Sequence, residues 1–426
     1  ELDEERVFSG LESSSDVSDI RVETRRSQRN MDKLDNVLKE LVASGVFGPG
    51  RFSYVKVNSN NESQLYPDIT YCDVGIEHGP VPKTHQLTVK TQQRPECVRK
   101  VMETDKLFSN EVAMYKVILP FLKADDLTPR FFHGRSTMGA ELKKDILILE
   151  DERPLGFTKS KGLYLDYHEI VVALRNLGKF HGYSYRAKNF HSHMFSSLTG
   201  MLQASIPGDE HWDVAWRCAL ERGVRPLMGR ADDRSLLQQV LNRLYDPRKA
   251  MKNLRTPREP FAVIYHGECH KENILFHYNE KGNATDSVFI DFQMSLYCDP
   301  SIDIVYLLYL NTTPDVRDKH WDEFLKIYWK GVISIEPNPG FTYEQFLDNF
   351  SRRAIYGYFP SSLFLTRALS NDPKGDSTES LAKMSVEDRA RKVANMGGSE
   401  ATNMLSKVVK HLLDRGYLEK YLHSEF

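Results

Sequence analysis

The chain has 426 residues, 40% of them hydrophobic and 27% charged, and a formal net charge of −2. That length allows two or three domains, or one large two-lobed enzyme, and the near-neutral charge argues against nucleic acid or an anionic membrane as the main partner. Five scattered cysteines with no Cys-x-x-Cys pair argue against a disulfide framework and for a reducing, cytoplasmic setting; no run approaches the ~18 apolar residues of a membrane span.

Residues 1–30 are rich in Ser and charge and poor in aromatics, the composition of a mobile tail through which a protein partner could dock. Leu34, Val37, Leu38 and Leu41 predict a helix over 31–46. Residues 47–91 read as strands with turn-like breaks at "NSNNES" and "EHGPVP", and "HQLTVKT" (85–91) ends near Lys90. A helix is predicted over 97–122, and a second strong strand, "KDILILED" (144–151), stops at acidic residues. Helices follow at 166–187 and 234–254, then a short strand at 287–291, and helices at 301–310, 321–333 and 403–422. The expected fold class is α+β: a small β-rich lobe over 31–150, then a large, mainly helical lobe over 151–426. A hinge between lobes is a common place for a ligand cleft.

"FAVIYHGECHKENILF" (261–276) sets a polar knot between two apolar runs. It supplies Glu268 and, five positions on, Asn273; Asp291 follows a predicted strand in "IDFQ". Phosphoryl transfer needs a carboxylate at the acceptor hydroxyl and oxygen ligands for Mg²⁺, and this spacing can supply both. Upstream, Lys90 ends a strand and Glu111 lies in the next helix, an arrangement that can hold an ammonium against nucleotide phosphates. The order Lys, Glu, acid-x4-Asn, Asp is that of a protein-kinase-like fold. A zinc reading of His266, Glu268 and His270 lacks the Cys-x-x-Cys of a deaminase and the His-Glu-x-x-His of a zincin. Cys269 reads as a packed thiol, and His181, His191 and His193 as structural or surface residues. Tyr328, Trp329, Tyr356, Tyr358, Phe359 and Phe364 read as core, some of them as walls of an acceptor pocket.

In "LTVK" (87–90), "FSNEVAMYKVILPFL" (108–122), "LILEDERPLGF" (147–157), "LGKFHG" (177–182), "HGECHKENILF" (266–276), "FIDFQMSLYCDPSIDIVYLLYL" (289–310) and "FLKIYWKGV" (324–332), the chain resembles the ecdysteroid-kinase-like (CHK-kinase-like) family of insects. These are small-molecule kinases related to choline kinases and aminoglycoside phosphotransferases. The resemblance runs from about residue 35 to the end. It implies a two-lobed protein-kinase-like fold, ATP and Mg²⁺ as cofactors, and a hydroxylated acceptor, steroid-like or xenobiotic. It implies Lys90 as the phosphate-binding lysine with Glu111 as its helix partner. Glu150, Asp151 and Glu152 would be the segment whose backbone holds adenine, and Asn273 and Asp291 the Mg²⁺ ligands. Glu268 would be the catalytic carboxylate, with His266 packed beneath the site and Asp303 bracing the loop.

Two departures define an alternative. The family carries Asp where this chain has Glu268; the extra methylene moves the carboxylate by roughly 1 Å, an error that can cost on the order of 10²-fold in rate. The phosphate-covering loop, rich in Gly in relatives, reads "NNESQLYPDITYCDV" (60–74) here, leaving Ser63 or Gln64 to substitute. Both point to a catalytically weak pseudokinase that binds a small molecule or a protein.

Overall fold

The computed structural model describes residues 34–58, 69–79, 82–92, 94–206, 208, 210–229, 231–372 and 374–426. The N-terminal tail, Ser63 and Gln64 lie outside the described residues. The chain divides into two compact units, the first ending at Val89 and the second running Lys90–Phe426.

The first unit holds a helix over 34–43 and three strands, β1 (Arg51–Asn58), β2 (Ile69–Glu77) and β3 (Lys83–Thr91), in that order. The helix buries Leu38, Leu41 and Val42 on one face. β1 and β2 pair antiparallel with Lys56 opposite Asp73 and Val57 opposite Cys72. In β3 the period of two buries His85, Leu87 and Val89. Lys90, the next residue, therefore faces away from that apolar row.

In the second unit β4 (Phe131–Arg135) and β5 (Ile146–Glu150) form an antiparallel pair. The helix predicted over 97–122 is interrupted. Glu103, in a left-handed conformation at φ 51°, ends Glu96–Met102 and precedes Thr104–Ala113. One wide π turn at Met114–Ile118 follows, then Leu119–Leu122. The helix predicted over 234–254 is also two, Ala231–Arg243 and Pro247–Leu254. Pro247 cannot continue a helix and Asp246 caps the new one by accepting from Lys249 N–H.

Helix Tyr167–Phe190 starts on a capping box of Asp166 and Glu169 and lies against Pro314–Ile335. The approach requires glycine: a Cβ on Gly178 would stand 2.2 Å from the Tyr328 carbonyl oxygen. Both helices contribute to the large apolar core of the unit, which includes Leu174, Leu177, Phe180, Phe324 and Tyr328. No helix among the described residues is long and apolar enough to cross a membrane.

Two small strand pairs fix the loops that carry the polar knot and Asp291. β7 (Val263–Tyr265) pairs antiparallel with β10 (Leu296–Cys298), Tyr265 opposite Leu296. β8 (Ile274–Tyr278) pairs with β9 (Ala284–Phe289), Ile274 opposite Phe289, and also with the short β6 (Phe157–Thr158). Together they clamp both ends of two loops, 266–273 and 290–295. The architecture is α+β, a small antiparallel β region followed by a mainly helical remainder.

Candidate active site

The loop 266–273 leaves β7 through Gly267, at φ 94°. A side chain there would be strained, and its Cβ would fall 2.3 Å from the Met294 carbonyl oxygen of the second loop. The loop is suspended from one buried carboxylate. Asp303, at the start of helix Ser301–Asn311, accepts from His266 N–H (2.7 Å) and Gly267 N–H (2.8 Å). His181 lies 3.2 Å from the same Asp303 Oδ2 through Nε2 and 2.8 Å from the Tyr328 hydroxyl through Nδ1. His181 thus braces the brace, a role that "KFHG" alone does not announce.

His266 ties the two loops together. Its Nδ1 accepts from Glu268 N–H (3.3 Å) and its Nε2 donates to the Ile290 carbonyl (2.9 Å). That pattern needs the neutral ring, and burial holds its pKa below the ordinary value. Both nitrogens are therefore engaged, and His270 Nδ1 accepts from Glu272 N–H (3.3 Å). Among the described residues no group of three His, Cys, Asp or Glu side chains could hold a metal ion.

The β8–β9 register brings Asn273 beside the second loop, where Ile290 N–H donates to the Asn273 carbonyl (3.0 Å). Asp291, next in the chain, is left-handed at φ 66° and leads into the short helical turn Phe292–Met294. Lys90 Nζ donates to Asp291 Oδ1 (2.8 Å) and to Glu111 Oε2 (2.7 Å). Asn273 turns its own amide nitrogen to the Glu268 carbonyl (3.1 Å).

The charges shift as such a cluster requires. Burial alone would lower Lys90, but Asp291 and Glu111 outweigh it and raise the ammonium above its usual range. Burial, then the nearby Asp291, outweighs the pull of Lys90 and raises Glu111 to about 7. Asp291 is also penalised by burial, yet Lys90 holds it below the ordinary carboxylate value. Glu268 is raised to about 7, first by burial and then by Asp291.

Glu150, Asp151 and Glu152 lie apart from this cluster in the bonding pattern. Glu150 N–H donates to the Arg130 carbonyl (2.9 Å), and the Glu152 carbonyl accepts from Leu155 (3.1 Å) and Phe157 (3.2 Å). The Asp151 carboxylate takes the Arg153 side chain at 2.7 and 2.9 Å. Burial, then the neighbouring carboxylates, raises Glu152 to about 7.

Next to Glu268, the His270 ring lies 5.8 Å from Tyr306 and 6.0 Å from Phe364. Tyr356, Tyr358 and Phe359 are buried, as is Tyr328, while Trp329 and Phe364 are partly buried.

Two residues of the site carry no readable signal. Gln293 donates to Glu268 Oε2 (3.2 Å) and Asp291 Oδ2 (3.4 Å). Asn110, adjacent to Glu111, donates to the carbonyls of Gln203 (2.9 Å) and Gln293 (3.2 Å). Both amides sit inside recognisable stretches, "FSNEV" and "IDFQ", but their partners are distant in sequence.

Among curated proteins, none matches the chain. Solved structures include an ethanolamine kinase of Plasmodium vivax, 11% identical, covering 86% of this chain and 83% of its own, with a TM-score of 0.39. Another is the GDP and kanamycin complex of APH(2")-IIia, 10% identical, covering 85% of this chain and 94% of its own, with a TM-score of 0.39. Residues 74–334 match the ecdysteroid kinase-like family. That span is more than half of the sequence and contains Lys90, Glu111, Glu268, Asn273, Asp291 and Asp303. The chain therefore belongs to the ecdysteroid kinase-like family.

Proposed function

We propose that the protein is an ATP- and Mg²⁺-dependent O-kinase that phosphorylates a hydroxyl of a small acceptor, of the ecdysteroid or xenobiotic class. The observation that carries this reading is Lys90 Nζ, held 2.7 Å from Glu111 and 2.8 Å from Asp291. An ammonium so fixed beside a second carboxylate suits a triphosphate and its counter-ion. Lys90 grips the phosphates and Glu111 keeps it in place. The donor set fits Mg²⁺, which prefers a few hard oxygen ligands. Asn273 and Asp291 would hold that ion, whose charge would offset that of the phosphates. Adenine is assigned to the backbone of Glu150, Asp151 and Glu152, two of whose groups already have partners.

Glu268 orients the acceptor hydroxyl and takes its proton as the oxygen bonds to the γ-phosphorus and the bond to ADP breaks. The rings of His270, Tyr306 and Phe364, grouped beside the loop that carries Glu268, support a hydroxylated polycyclic or aromatic acceptor. A cytoplasmic setting, where ATP and Mg²⁺ are at hand, goes with this reading.

The test is thermal unfolding with and without Mg²⁺–ATP. Saturation at 100 times Kd is expected to stabilise the protein by about 2.7 kcal/mol. Asp291→Asn is expected to lose most of that gain. No shift in the unmodified protein would remove both the kinase and any ATP-binding alternative. Binding without turnover on hydroxylated steroids would favour the pseudokinase reading, which the longer Glu268 motivates.

A further inference from the structure

We propose that Asn110 is the positioning residue that keeps Glu111 beside Lys90 once Lys90 turns from Asp291 to a nucleotide, a role that rests on the kinase reading of the site. Asn110 and Glu111 are neighbours on helix Thr104–Ala113, which packs against the Phe292–Met294 turn. The two residues tie that helix to the loop 290–295 in different ways. One tie is charged: Lys90 Nζ bridges Glu111 Oε2 (2.7 Å) and Asp291 Oδ1 (2.8 Å). The other is neutral: the Asn110 amide donates to the carbonyl of Gln293 (3.2 Å), two positions past Asp291. Helix, loop and Lys90 form a closed ring with one ionic side and one uncharged side.

The neutral tie is well anchored. Asn is a poor helix former because its side chain competes for backbone groups, and burying an amide is unfavourable unless its bonds are made. Asn110 is only 1% exposed, and it makes its bonds outside its own helix. Besides Gln293, it donates to the Gln203 carbonyl and accepts from Gln203 N–H, both at 2.9 Å. That reciprocal pair is the bonding of two facing antiparallel strand residues, and it fixes the rotation of the amide. The Gln203 segment is secured in turn. Arg255 donates to the Ser205 carbonyl at 2.8 Å, and Gly208 N–H donates to the Val101 carbonyl, in the preceding helix, at 3.0 Å. On the loop side, the buried Phe292 sets its ring 5.5 Å from Tyr115, in the π turn that follows Ala113.

Nucleotide binding acts on the two ties unequally. The phosphates claim Lys90 and their counter-ion claims Asp291, so the bond between those two side chains opens and the charged tie from helix to loop is lost. The bonds of Asn110 go to uncharged backbone groups, which neither a phosphate nor a cation displaces readily. Asn110 therefore holds the helix on the loop while the charges rearrange, and Glu111, one residue on, stays within reach of Lys90.

The experiment is hydrogen exchange of the full chain, read by mass spectrometry over Thr104–Ala113 with and without Mg²⁺–ATP. It is run on the unmodified protein, on Asn110→Leu and on Asn110→Asp, with Mg²⁺–ATP affinity measured by calorimetry on each. Leu is similar in size and makes none of the bonds. Asp keeps the acceptor for Gln203 N–H but sets carboxylate oxygen against the two carbonyls. In the unmodified protein the helix exchanges no faster when Mg²⁺–ATP binds. In both variants its exchange is expected to quicken about tenfold on binding, the reverse of the protection a ligand ordinarily brings. Mg²⁺–ATP affinity is expected to fall about tenfold, roughly the worth of one hydrogen bond. Exchange that quickens equally with and without nucleotide marks a structural role only and overturns the proposal. So does a folded variant with the parent's affinity and exchange, or a helix that exchanges faster with Mg²⁺–ATP in the unmodified protein. Should Asn110→Leu fail to fold, Asn110→Asp and the unmodified protein decide. If the unmodified protein binds no Mg²⁺–ATP, the kinase reading falls and takes this role with it; if parent and variants bind alike, only the role of Asn110 fails.

Discussion

Glu268→Gln is expected to lower turnover by roughly 10²–10⁴-fold while Mg²⁺–ATP still binds. The change keeps the size and a hydrogen-bonding end but removes the base. In the proposed reading, nucleotide affinity would rest on other side chains, Lys90 above all. The pH dependence sharpens the expectation. Burial, then Asp291, raises Glu268 to about 7. A base works in its ionised form, so turnover climbs as pH rises through about 7 and levels above it. Initial rates at saturating Mg²⁺–ATP, taken on both sides of that value, give the limb in the unmodified protein. The Gln variant lacks the limb. If it keeps both its rate and the limb, another group takes the proton and Glu268 only fills space.

Asp303→Ala is expected to cost about 4 kcal/mol of stability, because it leaves several buried donors without a partner at once. Asp303 is 0% exposed and serves His266 N–H, Gly267 N–H and the His181 ring. The loss is a large share of the ~5–15 kcal/mol that holds a domain together. Asp303→Asn keeps one acceptor oxygen but turns an NH₂ group toward existing donors, so it should cost less, about 2 kcal/mol. Urea unfolding followed by tryptophan fluorescence measures both. Because the same carboxylate suspends the loop that carries Glu268, the Asn variant should also lose turnover below its unfolding midpoint. An Ala variant within about 1 kcal/mol of the parent would show that the loop is held by its strand pairs instead.

These expectations draw unequally on sequence and on structure. The α+β class and the family resemblance were legible, since a polar knot between apolar runs and the order of Lys90, Glu111, Glu268, Asn273 and Asp291 are properties of the string. The breaks in the predicted helices were legible to different degrees. Pro247 behind Asp246 is a written stop that an uninterrupted apolar period concealed. Glu103 is not: it ends a helix with φ 51° although neither Gly nor Pro stands there. The helix expected over 403–422 is likewise two, Gly398–Asp414 and Tyr417–Leu422, parted at Gly416 with φ 69°.

What the string alone determined is which chemical groups exist and in what order: an ammonium, several carboxylates and an amide, each beside a strand or helix that its neighbours specify. Tertiary structure alone decided who faces whom. The pairing of β7 with β10 and of β8 with β9 brings residues 266–273 against 290–295. Only then does Gln293 meet Glu268, Asn110 meet Gln293, and His181 meet Asp303. A hydrogen bond weakens steeply over a few tenths of an ångström, so it depends on the register of strands and helices distant in sequence.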